Sequence, residues 1–151
     1  MSKQKYNLSQ LVNSSVLKEI SQGFQQLTNL PNAIADLKGN ILAESGLKGI
    51  CRRFHRHHPE SYELCRKEDI KISRRLRKNE KYTIYECWSG LTDAAAPIFI
   101  GNSHVANFIT GQFMLKKHDE KKIGQLKKNA EKFNYPLEKY LDELSKIPVI
   151  H

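Results

Sequence analysis

The stretch Tyr85-Glu86-Cys87-Trp88-Ser89-Gly90-Leu91-Thr92-Asp93 decides how this chain is read. Residues 82–88 alternate, with Thr83, Tyr85 and Cys87 on one side and Tyr82, Ile84 and Glu86 on the other, which is the period of a half-buried strand. Gly90-Leu91 supplies a turn and Asp93 a carboxylate. Two apolar strands, Ala94 to Ile100 and His104 to Met114, then follow through a Gly101-Asn102-Ser103 hairpin turn and close on Gly111-Gln112. A thiol, a carboxylate and an amide thus fall beside one apolar sheet. Such a set reads as the wall of a small-molecule pocket.

Upstream, Leu17, Ile20, Phe24 and Leu27 recur at helical spacing and predict an amphipathic helix over 14–28 with one buried stripe. Leu30-Pro31 ends it, because a residue before proline is pushed out of helical geometry. Residues 32–37 and 40–44 read as a β-hairpin whose turn is made by Asp36 and Gly39. Residues 48–79 are helical, broken near His58-Pro59. Cys65, Asp69, Ile72 and Leu76 share one face of the second segment, so the thiol and the carboxylate turn toward the core. A basic helix over 117–132 and a last helix over 137–144 complete an α+β chain: a five-stranded antiparallel sheet with a helical insertion after the second strand and flanking N- and C-terminal helices.

The chain has 151 residues, 39% of them hydrophobic, which is one domain with a real core. No apolar run reaches the about 20 residues of a membrane helix, and residues 1–6 lack a signal peptide's apolar segment, so a cytoplasmic location is expected. Three widely spaced cysteines fit a reducing compartment. The net charge of +9 raises the question of an anionic partner. The basic runs are interspersed with acids and carry no binding motif, which argues for solvated helix faces and against nucleic acid. No phosphate loop, Gly-x-Ser-x-Gly or His-Glu-x-x-His occurs, and a Cys87–His104 pair is enforced by no spacing. An enzyme is not expected.

Taken in order, these pieces resemble the PocR sensory domain, a ligand-binding module with a variant PAS-like fold. The resemblance is carried by the leading helix to Phe24, by Ile34-Ala35-Asp36 with Gly39, and by Cys51, then Cys65 and Asp69. It ends in Tyr85-x-Cys87-x-x-Gly90-Leu91-x-Asp93 with Pro97-Ile98, and Gly111-Gln112. It implies a sensory domain spanning 1–151, excised from a longer signalling protein whose output domain is a histidine kinase or a DNA-binding regulator. It also implies a small hydrocarbon derivative as ligand, such as a propanediol. The run Phe54-His55-Arg56-His57-His58 and the bulky Trp88 depart from the family pattern.

The ligand-binding residues expected from this reading are Tyr85, Cys87, Gly90, Leu91, Asp93, Gln112, Cys65 and Asp69, with carbon contacts from Leu91, Ile98, Phe108 and Tyr85. Asp69 has Arg66 and Arg74 as alternative salt-bridge partners, and Asp93 could instead cap its turn. A second reading is a metal, iron–sulfur or redox sensor. Cys51, Cys65 and Cys87 are separated by 13 and 21 residues, which matches no zinc or ferredoxin signature, yet the fold turns all three toward one mouth of the sheet. His55, one helical turn after Cys51, is the candidate fourth ligand. No cofactor is fixed by the sequence. The expected partners are a small organic ligand, an output domain in the same polypeptide, and a second copy in a homodimer.

Overall fold

The computed structural model describes residues 6–77, 80–117 and 119–150. A short helix, α1 (Leu8–Leu11), precedes α2 (Ser14–Thr28), which starts where the Asn13 side chain accepts from Ser15 N and ends at Asn29 in left-handed conformation. The hairpin β1 (Asn32–Asp36) and β2 (Ile41–Ser45) follows. Asp36 Oδ1 accepts from the backbone N–H groups of Lys38 and Asn40, and Gly39 sits at φ +82°, the turn role expected of both. A π-helical segment, Ile50–His55, leads into α3 (Pro59–Leu76), whose first position is a proline. Positions 78–79 of the expected helix lie outside the described residues. Strands β3 (Thr83–Glu86), β4 (Thr92–Ile100) and β5 (Ser103–Phe113) are followed by α4 (Glu120–Lys132) and α5 (Leu137–Ser145).

The five strands form one antiparallel sheet in the order β2-β1-β5-β4-β3. This is the PAS-like α+β architecture expected from the sequence. Residues directly opposite each other in such a ladder point to the same face. Ile34, opposite Phe108, therefore lies with Ala96 and Ala106 on the face that α2 covers, where Leu17, Ala43 and Leu8 complete an apolar cluster. Tyr85, opposite Asp93, lies with Ala95 on the other face, where Ile72 and Leu76 of α3 pack. A third cluster joins Ile50, Cys51 and Phe54 of the π-helix to Leu126, Phe133 and Tyr140.

The stripe on α2 departs from expectation. Leu17 is buried, but Leu27 is 90% exposed and Ile20 51%, because the helix sets its Leu17–Ser21 side against the β1–β2 hairpin. On α5, Tyr140 rather than Leu137 is the buried anchor. After α5 the chain returns to the sheet: Met114 N donates to Pro148 O, and Ile150 N donates to Met114 O.

Two irregularities shape the end of the sheet nearest that return. Thr92 pairs with Phe113 and Asp93 with Gly111, which leaves Gln112 as an extra residue with no opposite number. Such a bulge re-aims a side chain. Gly111 has φ +151°, a region other residues avoid, and a Cβ there would collide with Asp93 Oδ1. The Gly111–Gln112 peptide bond is cis. Among the described residues, no helix is long and apolar enough to cross a membrane.

Candidate functional site

The bulge, the start of β4 and the buried face of α3 meet the π-helix around one small cavity. The π-helix supplies Cys51 and His55, with Arg56 just after it; α3 supplies Cys65, Glu68 and Asp69. From the sheet come Tyr85, Cys87, Trp88, Asp93 and Gln112. The cavity's volume is about 20 Å³, room for about one water molecule. A larger open cleft, about 480 Å³, lies between the π-helix and α5. Most of its charges are paired with one another: Arg53 with Glu143, and Lys146 with Asp142 and Glu143. The small cavity is the better candidate, because among the described residues its wall holds buried polar atoms without a partner and the cleft's does not.

Four buried polar atoms of its wall have no hydrogen-bond partner among the described residues: Arg56 Nη1, the Tyr85 hydroxyl, Asp93 Oδ1 and Gln112 Oε1. Native proteins pair nearly all such groups, and each orphan costs about 1–3 kcal/mol. Four such atoms gather on this one cavity.

The charges are uneven. Asp69, 6% exposed, accepts from Arg56 Nη2 at 3.0 Å; burial nonetheless raises its pKa, more than the guanidinium lowers it. This ion pair replaces the partners expected from sequence, Arg66 and Arg74. Asp93 has no such partner. Burial, and next the charge of Asp69, push its pKa up to about 8, against the opposing pull of Arg56. Burial likewise raises the Tyr85 hydroxyl.

The three cysteines do converge on the cavity, but each is engaged separately. Cys51 Sγ lies 3.7 Å from His55 Nδ1, Cys65 Sγ accepts from Trp88 Nε1 at 3.2 Å, and Cys87 Sγ sits 3.0 Å from Ser89 Oγ. Burial raises all three thiols, Cys87 to about 12. His55 Nε2 is bound to the Tyr140 hydroxyl at 2.7 Å, and burial holds its pKa down at about 3. Among the described residues, no three His, Cys, Asp or Glu side chains are grouped to hold a metal ion. The expected set of Cys51, Cys65, Cys87 and His55 thus shares one cavity wall, with each thiol beside a different neighbour.

Other expectations divide. Tyr85, Cys87, Asp93, Gln112, Cys65 and Asp69 all line the cavity. Gly90 faces the Lys122 side chain, and Leu91 is sealed in the cluster with Tyr140 and Leu126. Ile98 and Phe108 pack under α2, on the opposite face of the sheet. His104 pairs with Phe99, at the far end of β4 from Cys87, and bonds to Asn107 at 2.7 Å, so the Cys–His pair does not form. Trp88 packs on His55 and Phe133. Arg56 was missed, because an arginine in a basic run reads as solvated; its one signal is its place at the helix break, beside the buried face of α3.

The family profile described as "Sensory domain found in PocR" matches residues 10–151. The "Regulatory protein PocR" of Salmonella typhimurium (strain LT2) is 29% identical over 110 residues, which cover 72% of this chain and 36% of that protein. The chain thus spans about a third of its relative's length. An IclR homolog of Microbacterium hydrocarbonoxydans, solved in complex with 4-hydroxybenzoate, aligns at 18% identity with a TM-score of 0.37, over 80% of this chain and 67% of its own. The profile match, over nearly the whole chain, places it plainly: the chain belongs to the PocR sensory-domain family.

Proposed function

We propose that this domain senses a small organic molecule, a short diol or alcohol, for a signal-transduction protein of the cytoplasm. The bound ligand would sit among Tyr85, Cys87, Asp93, Gln112, Cys65 and Asp69, its hydroxyls meeting the unpartnered groups of the wall. The observation that carries this reading is the convergence of four buried, unpartnered polar atoms on one cavity. Leaving them unmet by a wrong ligand is costly, which is how so few groups give specificity. The reading involves no catalytic step.

As closed here the cavity is smaller than any diol, so binding requires it to open. A signal follows if the ligand favours the open form. Two connections lead from the wall to the last helix. His55, beside Cys51, bonds Tyr140 of α5, and Gln112 lies two residues from Met114, where the chain after α5 docks. Movement there would reach an output domain, a histidine kinase or a transcription regulator in the same polypeptide, whether the domain works alone or as a homodimer.

Trp88 is the chain's one tryptophan and lies in the wall, so its fluorescence reports on the cavity. Titration with propane-1,2-diol should give a saturable change and a rise in Tm, since a ligand of the folded state alone stabilises it. Gln112→Ala should weaken both. A panel of short diols and alcohols that leaves fluorescence and Tm unchanged would refute the proposal.

A further inference from the structure

The two carboxylates of the cavity differ in a way that bears on ligand charge. Asp69 is held by Arg56. Asp93 is 7% exposed, its Oδ1 has no partner among the described residues, and a Cβ at Gly111 of β5 would collide with that oxygen. The charged and titratable groups that share the cavity with Asp93 are Asp69, Glu68 and Cys65 from α3, Cys51 and His55 from the π-helix with Arg56 just after it, and Tyr85 and Cys87 from β3 and its end. The one cation among them is already engaged. Next to Asp93, Gln112 presents a second unpartnered acceptor, its Oε1.

We propose that Asp93 meets the ligand as a neutral carboxylic acid, so that the cavity selects an uncharged hydroxyl compound over its carboxylate and amine isosteres. The proposal rests on the reading of the cavity as a ligand site. An acid-form Asp93 supplies one O–H donor and keeps an acceptor. With Arg56 Nη1 as a further donor and Gln112 Oε1 as an acceptor, it matches hydroxyl groups, which both donate and accept. A ligand carboxylate would bring acceptors alone to Gln112 Oε1 and add an anion beside Asp69 and Glu68. A ligand ammonium would bring donors alone and leave Arg56 Nη1 unmet, beside a guanidinium of its own sign. A pKa near 8 for Asp93, caused first by burial and next by Asp69, agrees with the acid form at neutral pH.

The test uses three compounds of one skeleton: propane-1,2-diol, lactate and 1-aminopropan-2-ol. Each is titrated against the whole chain from pH 6.5 to 9.5, with Trp88 fluorescence as readout. The diol should bind at least about tenfold more tightly than either charged isostere. Its affinity should be level below pH 8 and fall about tenfold for each pH unit above, as the competent acid form is depleted. Asp93→Asn keeps a donor and an acceptor without the titration, so whatever its diol affinity, the pH profile should be flat. Lactate binding as tightly as the diol would overturn the proposal, as would 1-aminopropan-2-ol binding most tightly. So would a level wild-type profile through pH 9.5, a result that stands even if Asp93→Asn fails to fold. If the diol binds in any of these cases, the ligand-sensing reading survives; if none of the three compounds binds, both readings fall.

Discussion

Beneath α2 the sheet buries Asn32 and Ser21 completely, and the two satisfy each other: Ser21 Oγ donates to Asn32 Oδ1 at 2.7 Å, and Asn32 Nδ2 donates to Ser21 O at 2.9 Å. Beneath α3 and the π-helix the same sheet buries Tyr85, Asp93 and Gln112, and each keeps an unpartnered atom. Under α2 polar groups fix a packing; around the cavity they are held in reserve, although deeper under α3 Asn107 is paired with Ser73. A paired buried group adds about 1 kcal/mol to stability, whereas an orphan subtracts about 1–3. The two faces therefore predict opposite responses when a polar side chain is removed, and that difference separates scaffold from site.

The glycines test the comparison most severely. At Gly111 on the cavity side, a Cβ would run into Asp93 Oδ1 and lie 2.9 Å from its Cγ, at a φ of +151°. Gly111→Ala should cost about 3 kcal/mol, read as a lower urea midpoint. Gly23, in α2 on the other face, has open space around its Cβ position. Gly23→Ala should stabilise by about 0.5–1 kcal/mol through helix propensity. If Gly111→Ala keeps the wild-type midpoint, the bulge is not the rigid frame of Asp93 described above.

Next in size is Asn32→Ala. It removes both halves of the buried pair with Ser21 and leaves a void, which should cost about 2 kcal/mol. Ligand affinity should not change, since Asn32 belongs to the α2 face. A loss of binding in folded Asn32→Ala protein would mean that the two faces are coupled and the division between them is wrong.

What could be read beforehand follows the same division. Periodicity turned Cys65, Asp69, Ile72 and Leu76 to one buried face of α3 and Tyr85 to the buried side of β3, and it needed no tertiary information. It could not choose between two apolar options. On α2, which of Leu17 and Leu27 is buried depends on where the hairpin lies. On β4 and β5 both faces are apolar, so Ile98 and Phe108 were assigned to the ligand when they pack under the helix. Arg56 was beyond reach for another reason. Its partner Asp69 lies 13 residues on, across the break at His58-Pro59, and a charge looks the same in a sequence whether it is solvated or buried. For the metal alternative, convergence of Cys51, Cys65 and Cys87 on one cavity was legible, but the separate neighbours of their thiols were not.

The smallest expected effect is the most telling, because its sign is unusual. Tyr85 is 8% exposed and its hydroxyl is unpartnered. Tyr85→Phe keeps the ring that packs with Ile72, Leu76 and Ala95 and deletes only the orphan. Without ligand the variant should be more stable than the parent, by about 1 kcal/mol, since no buried hydroxyl remains to be desolvated. With propane-1,2-diol the order should reverse in affinity, the variant binding about three- to tenfold more weakly for want of one hydrogen bond. Denaturation midpoints with and without diol read both quantities from one experiment. A Tyr85→Phe protein that is less stable without ligand would show that the hydroxyl already has a partner in the empty domain. The cavity face would then be as satisfied as the face under α2, and the argument that its polar groups await a ligand would lose its basis.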